Sequence, residues 1–200
     1  MDFRYFLLVG SLLPLSVLAQ QIPIEQAGAA AQANLNTLAA GGAAVVPHAT
    51  SEGTVGSPYL DRRWLTTRLK TNSSLALAPV PLKYDVLGQR LLMKRLDRPN
   101  DSLQLNDQSI VSFELEEPAT AIAPARLRTF RRFVEATDAR QRVEYVEVLH
   151  EGRYTLLKRY VKRLDKSDYG QPYGSTHNYD EIVDSNQYFL LRPDKTLVPL

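Results

Sequence analysis

Cysteine is absent from the 200-residue chain. That removes a disulfide framework, thiol nucleophiles and thiolate metal sites, so stability has to come from an apolar core. Tryptophan occurs once, methionine twice and histidine three times. None of His48, His150 and His177 stands at ligand spacing from another histidine, which excludes the usual zinc signatures. There is no G-x-S-x-G, phosphate loop, dinucleotide glycine pattern or calcium loop either, so no cofactor is expected. Charge of one sign is lacking too. Lys and Arg number 24 against 22 Asp and Glu, a formal +2, which gives no argument for nucleic acid as a partner.

Long hydrophobic runs are missing beyond the N-terminus, so no transmembrane segment is expected in the mature chain. At the N-terminus Arg4 supplies a positive charge, residues 5–18 are apolar with one proline, and Val17-Leu18-Ala19 satisfies the small-residue rule before Gln20. This reads as a secretory signal peptide over residues 1–19, cleaved near Ala19. The apolar run falls short of the roughly 20 residues a spanning helix needs. A secreted or periplasmic protein of bacterial origin is expected.

What the chain does have changes along its length. Residues 20–55 are rich in Ala, Gly and Gln and read as a flexible leader, with a short helix over residues 27–38 as the minority case. From Gly56 the texture turns to alternating strands, and a β-rich domain is expected over residues 56–200, with a C-terminal truncation considered because the chain ends on an apolar strand. Trp64 is read as a cap on one end of the core. Pro79 and Pro81 argue against a central strand there. Gly88-Gln89 reads as a type II′ hairpin turn, and residues 109–115 as a strand whose core face is Val111, Phe113 and Leu115. Residues 127–135 fit helical and strand periods alike and are read as a strand. Residues 179–183 and 187–192 read as a hairpin around Ser185-Asn186, followed by a turn at Pro193-Asp194-Lys195.

The strongest local signal is residues 143–166, where two alternating runs meet at Glu151-Gly152. A three-residue loop with Gly152 left-handed in a bulge is expected, since Glu151 is a poor residue for positive φ. That register puts Val146, Val148, Tyr154, Leu156 and Tyr160 on one face and sets Glu144 opposite Lys158. Both faces are partly apolar, so both should be covered. The whole is expected to be all-β, an antiparallel meander of hairpins forming a curled sheet, partial barrel or sandwich of roughly nine to eleven strands.

Gly56-Ser57-Pro58-Tyr59-Leu60 with Trp64, then Leu82-Lys83-Tyr84-Asp85, then the run from Val146 through Lys158, resemble a group of uncharacterised exported β-rich proteins of Bacteroidota-type bacteria. The resemblance covers most of residues 56–200 and rests on structural residues. It implies an envelope location and no assigned activity, hence no site residues.

Residues 126–166 hold 12 Lys and Arg against 6 Asp and Glu, whereas residues 167–200 hold 2 against 5. Basic residues on strands protect sheet edges from aggregation, but Arg159, Lys162 and Arg163 could also form a stripe for an acidic polymer or anionic headgroups. The second candidate is the loop of residues 169–184. Tyr169, Tyr173 and Tyr179 offer stacking faces for a sugar or peptide, beside His177 and Asp180. These are turn-forming residues as well, and a plain structural role is the stronger reading of the loop. The expected function is a non-enzymatic exported module that binds or scaffolds an envelope protein, glycan or lipid. The alternatives are a hydrolase using His177 with Asp180, Glu181 or Asp184, and a periplasmic carrier holding a small apolar ligand inside the curl.

Overall fold

The computed structural model describes residues 44–45, 53–72, 77–95, 101–167 and 179–200. Its strands, in chain order, are β1 (Ala44–Val45), β2 (Thr54–Val55), β3 (Leu65–Thr71), β4 (Val80–Asp85), β5 (Arg90–Lys94), β6 (Ser102–Gln104), β7 (Ile110–Glu117), β8 (Arg126–Arg132), β9 (Tyr145–His150), β10 (Thr155–Arg159), β11 (Lys162–Asp165), β12 (Asp180–Asp184), β13 (Gln187–Leu191) and β14 (Leu197–Pro199). Eleven form one open sheet in the order β1-β6-β5-β4-β3-β7-β8-β9-β10-β13-β14, and β11-β12-β2 form a second. The large sheet is antiparallel throughout, and β2 lies parallel to β12. The all-β reading holds as a curled sheet that does not close into a barrel. The two sheets begin before Gly56, since β1 pairs with β6 and β2 with β12.

Curling follows from the aromatic residues. Between β4 and β9 lie three strands, so a flat sheet would hold Tyr84 and Tyr145 about 19 Å apart. Their ring centroids are 5.8 Å apart. Phe113 stacks on Phe130 at 4.8 Å and meets Tyr145 edge-on at 4.9 Å, so the rings from β4, β7, β8 and β9 converge on one concave face. Leu65, Leu82, Leu91, Met93, Ile110 and Leu115 complete this core. On the opposite face, toward β14, Phe133, Ala136, Val146 and Leu157 form a second cluster with Phe189 and Leu197. Tyr145, Val146 and Glu147 of β9 are therefore all buried, the double covering that residues 143–166 imply.

Three registers differ from the sequence reading. In β7, Thr71 faces Ile110 while Lys70 faces Ser112, so Val111 is an extra residue. This bulge inverts the alternation: Ile110 is buried and Val111 is 43% exposed. In the hairpin of β9 and β10, Leu156 faces His150 but Leu157 faces Val148, so the extra residue is Leu149 and the closing loop is longer than three residues. Gly152 is not among the glycines at positive φ. The slip places Leu157, not Leu156 and Tyr160, with Val146 and Val148, and sets Lys158 opposite Glu147 rather than Glu144. The turn between β4 and β5 has four residues, and Gln89 (φ 51) rather than Gly88 is left-handed. Gln89 is held by its amide, which donates to Val86 C=O at 2.7 Å and accepts from Tyr84 OH at 2.9 Å.

Pro81 lies within β4 after all, opposite Thr66. Pairing of β4 with β5 starts only at Leu82, so one flank at Pro81 is open, the position a strand proline tolerates. The expected hairpin around Ser185-Asn186 does not form. β12 pairs with β11 and β13 with β10, and the same register runs through both pairings. β10–β11 and β12–β13 thus form one long antiparallel ribbon, broken near Tyr160 and Ser185, whose two halves join different sheets. The turn at Pro193-Asp194 is where the sequence puts it, with Lys195 N–H donating to Arg192 C=O at 3.0 Å.

β2 is held to the ribbon by a glycine with no alternative. Gly56 has φ 101, and a Cβ there would lie 2.6 Å from Ile182 C=O oxygen. Gly56→Ala should cost about 1–2 kcal/mol of local stability from the backbone conformation alone. Amide exchange in β12 should accelerate while that of β7 is unchanged; equal rates in the variant would show that the arm is not docked there.

Candidate functional site

β3, β7 and β8 end together, and the chain enters β3 through Trp64 and leaves β7 through Pro118. Between them lies a groove of about 430 Å³, lined by Trp64, Leu65, Thr66, Glu116, Glu117, Pro118, Ala125, Arg126 and Leu127. Its size is within the range of small-ligand sites. The loop after Pro118 is uncharged, Ala-Thr-Ala-Ile-Ala-Pro-Ala, and is tied by Thr120, whose N–H donates to Ala123 C=O at 2.8 Å and whose Oγ1 accepts from Ala123 N–H at 3.1 Å. At its tip Ile122 is 96% exposed. Leu127 at the groove wall is also exposed.

Trp64 does not cap the core. Its ring is half-buried, with Lys83 Nζ 4.8 Å from the indole centroid and 4.9 Å from that of Tyr59. The ammonium bridges two aromatic rings, worth about 0.5–1 kcal/mol per contact, and so fixes the orientation of the indole. Burial pulls the Lys83 ammonium below its ordinary pKa, against the opposing charge of Asp61. Burial likewise raises the Tyr59 phenol, with Asp85 adding to it. Asp61 is held below the usual carboxylate range chiefly by Arg63, whose Nε and Nη2 reach it at 3.1 and 2.8 Å, against the effect of its own burial.

The groove's carboxylates each meet an arginine. Arg126 Nε donates to Glu117 Oε2 at 2.5 Å, and Arg68 Nη2 lies 2.6 Å from Glu116 Oε1. A carboxylate has about four acceptor positions, so both retain acceptor capacity beyond these pairs.

The second polar cluster is buried. Arg128 grips Glu147 through two parallel bonds of 2.7 and 2.9 Å, and Tyr160 OH donates to Glu147 Oε2 at 2.5 Å. Arg128 lies over Phe130, 5.3 Å from the ring centroid. Burial alone would raise the Glu147 carboxyl, yet the bonds from Arg128 and Tyr160 and the Arg128 charge hold it below its ordinary value. The Tyr160 phenol is pushed up strongly by burial and by the carboxylate it bonds. Every partner in this cluster is matched, so its role is to join β8, β9 and β10.

Of the residues singled out in the sequence, Tyr169, Tyr173 and His177 lie outside the described residues. Tyr179 and Asp180 stand where the chain re-enters the ribbon, and Asp180 Oδ1 accepts from Ser167 N–H at 2.8 Å, tying the two strands together. Asp184 accepts from Lys162 Nζ at 2.5 Å. Arg159 forms a two-bond pair with Glu144 at 2.7 and 2.8 Å and donates to Gln187. Arg163 pairs with Asp165. The side chains of Arg159 and Lys162 are only 13% and 11% exposed, so Arg163 alone of the three stands well out in solvent. The described interior of the curl is lined by the buried side chains of Tyr84, Phe113, Phe130, Leu91 and Met93, with Phe113 against both Tyr84 and Phe130.

Sequence reading missed the groove because its walls come from three strands whose order is not local. The available signal was the lone tryptophan one residue before an alternating strand, and the uncharged loop between two charged strands. No family model, curated protein or solved structure matches this chain.

Proposed function

We propose that the protein is an exported, non-enzymatic β-sheet module of the cell envelope that binds a partner through the groove beside Trp64. The observation that carries this reading is the groove itself: a concave, mainly apolar surface with a fixed indole and a few charged groups, the composition of a recognition site. Away from the groove, Arg128 with Glu147 and Arg159 with Glu144 serve to join strands. Export is supported by Arg4, the apolar residues 5–18 and Ala19. Among the described residues no helix is long and apolar enough to cross a membrane.

Because Trp64 is the sole tryptophan, emission excited selectively at the indole, away from tyrosine absorption, reports on the groove. Titration of the mature protein with separated polysaccharide, lipid and protein fractions of the envelope should change that emission with one fraction, and Leu127→Arg should abolish the change. A flat signal with all three removes the reading. Export is tested separately by N-terminal sequencing of the secreted or periplasmic protein, expected to begin at Gln20; an intact Met1 chain in the cytosol would refute it.

A further inference from the structure

We infer that the groove takes a neutral carbohydrate, a pyranose unit laid against Trp64; this rests on the binding reading above and assigns the class of ligand. A pyranose presents an apolar face of C–H groups and a rim of hydroxyls that both donate and accept. The flat indole matches the first. Thr66, Glu116, Glu117 and Arg126 match the second, since a hydroxyl is donor and acceptor, carboxylates only accept and guanidinium only donates. Each lining carboxylate is already paired with an arginine, Glu116 with Arg68 and Glu117 with Arg126, so the wall carries little net charge to draw an anionic headgroup or acidic polymer. A wholly apolar peptide would desolvate those ion pairs while leaving their remaining acceptor positions unfilled. Lys83 adds pre-organisation. By holding the indole from the Tyr59 side, it reduces the ordering that a ligand would otherwise have to impose.

The test uses the full mature chain and a panel of neutral oligosaccharides of glucose, mannose, galactose, xylose and N-acetylglucosamine, followed by Trp64 fluorescence and calorimetry. At least one should bind, with little dependence on salt. Trp64→Ala should weaken it about thirtyfold or more, as expected for a central aromatic anchor, and Trp64→Phe less. Glu117→Gln, which keeps an acceptor but alters hydroxyl pairing, should weaken binding without altering the unfolding transition, so misfolding is not mistaken for lost contact. Binding of anionic vesicles or of apolar peptides at Trp64, with no sugar bound, overturns the carbohydrate assignment and leaves the groove as a binding site. No change with any sugar, vesicle or peptide overturns both.

Discussion

Arg128→Met should destabilise the protein by about 3–5 kcal/mol, because it leaves the Glu147 carboxylate buried without its countercharge. Arg128 and Glu147 are almost fully buried, and their two-bond pairing is completed by Tyr160. The attraction is offset by the cost of removing both ions from water, so the intact cluster contributes little net stability while a broken one costs much. The triple variant Arg128→Met, Glu147→Leu, Tyr160→Phe removes all the polar groups together and should recover most of the loss. Urea unfolding of both variants measures the difference. If Arg128→Met unfolds at the same urea concentration as the parent, the pair is not buried as described.

The same cluster sets a pH dependence. The folded Glu147 carboxyl titrates below the 4.5 of a free glutamate, so the stability it contributes is present above that pH and is lost as pH falls through the lower, folded value. Tyr160 has the opposite sense. Its folded value lies above the free 10.0, so its contribution is complete below pH 10 and declines as the pH rises beyond it. Arg128→Met should flatten the acid limb. An unchanged acid limb in the variant would assign it to other carboxylates.

Phe113→Ala should cost about 3–5 kcal/mol, the range for emptying a buried aromatic site. Its ring touches Tyr84, Phe130 and Tyr145, so its loss opens the point where the curl closes on itself. Two residues away, Val111→Ala should change stability by no more than about 0.5 kcal/mol, whereas Ile110→Ala should cost about 2–5 kcal/mol. The contrast reports directly on the bulge in β7. A costly Val111→Ala with a harmless Ile110→Ala would mean that strict alternation persists and that the register across β3 and β7 is wrong.

Much of the secondary structure was legible because strand alternation and turn chemistry are local. The strands around Phe113, Phe130 and Leu157, the hairpin joining β9 and β10 and the turn at Pro193-Asp194 all follow from side-chain type at neighbouring positions. Register was not. A single extra residue, Val111 in β7 or Leu149 in β9, reverses which side chains are buried, and nothing in those residues' own chemistry marks them as the insertion. The candidate groove was equally hidden, since Trp64, Glu117 and Leu127 meet only because β3, β7 and β8 are neighbours in the sheet.

By itself the sequence determined the all-β class, the absence of disulfide support and some turns, such as that at Pro193-Asp194, because propensity and periodicity act over a few residues. Only the tertiary structure decided which strands pair, where the sheet curls and which charges meet. Arg128 and Glu147 lie 19 positions apart, and β12 pairs back with β11 while β13, only two residues further on, pairs with β10. Those choices are settled by burial of the aromatic face and by pairing of charges across strands, both properties of the assembled sheet rather than of any segment.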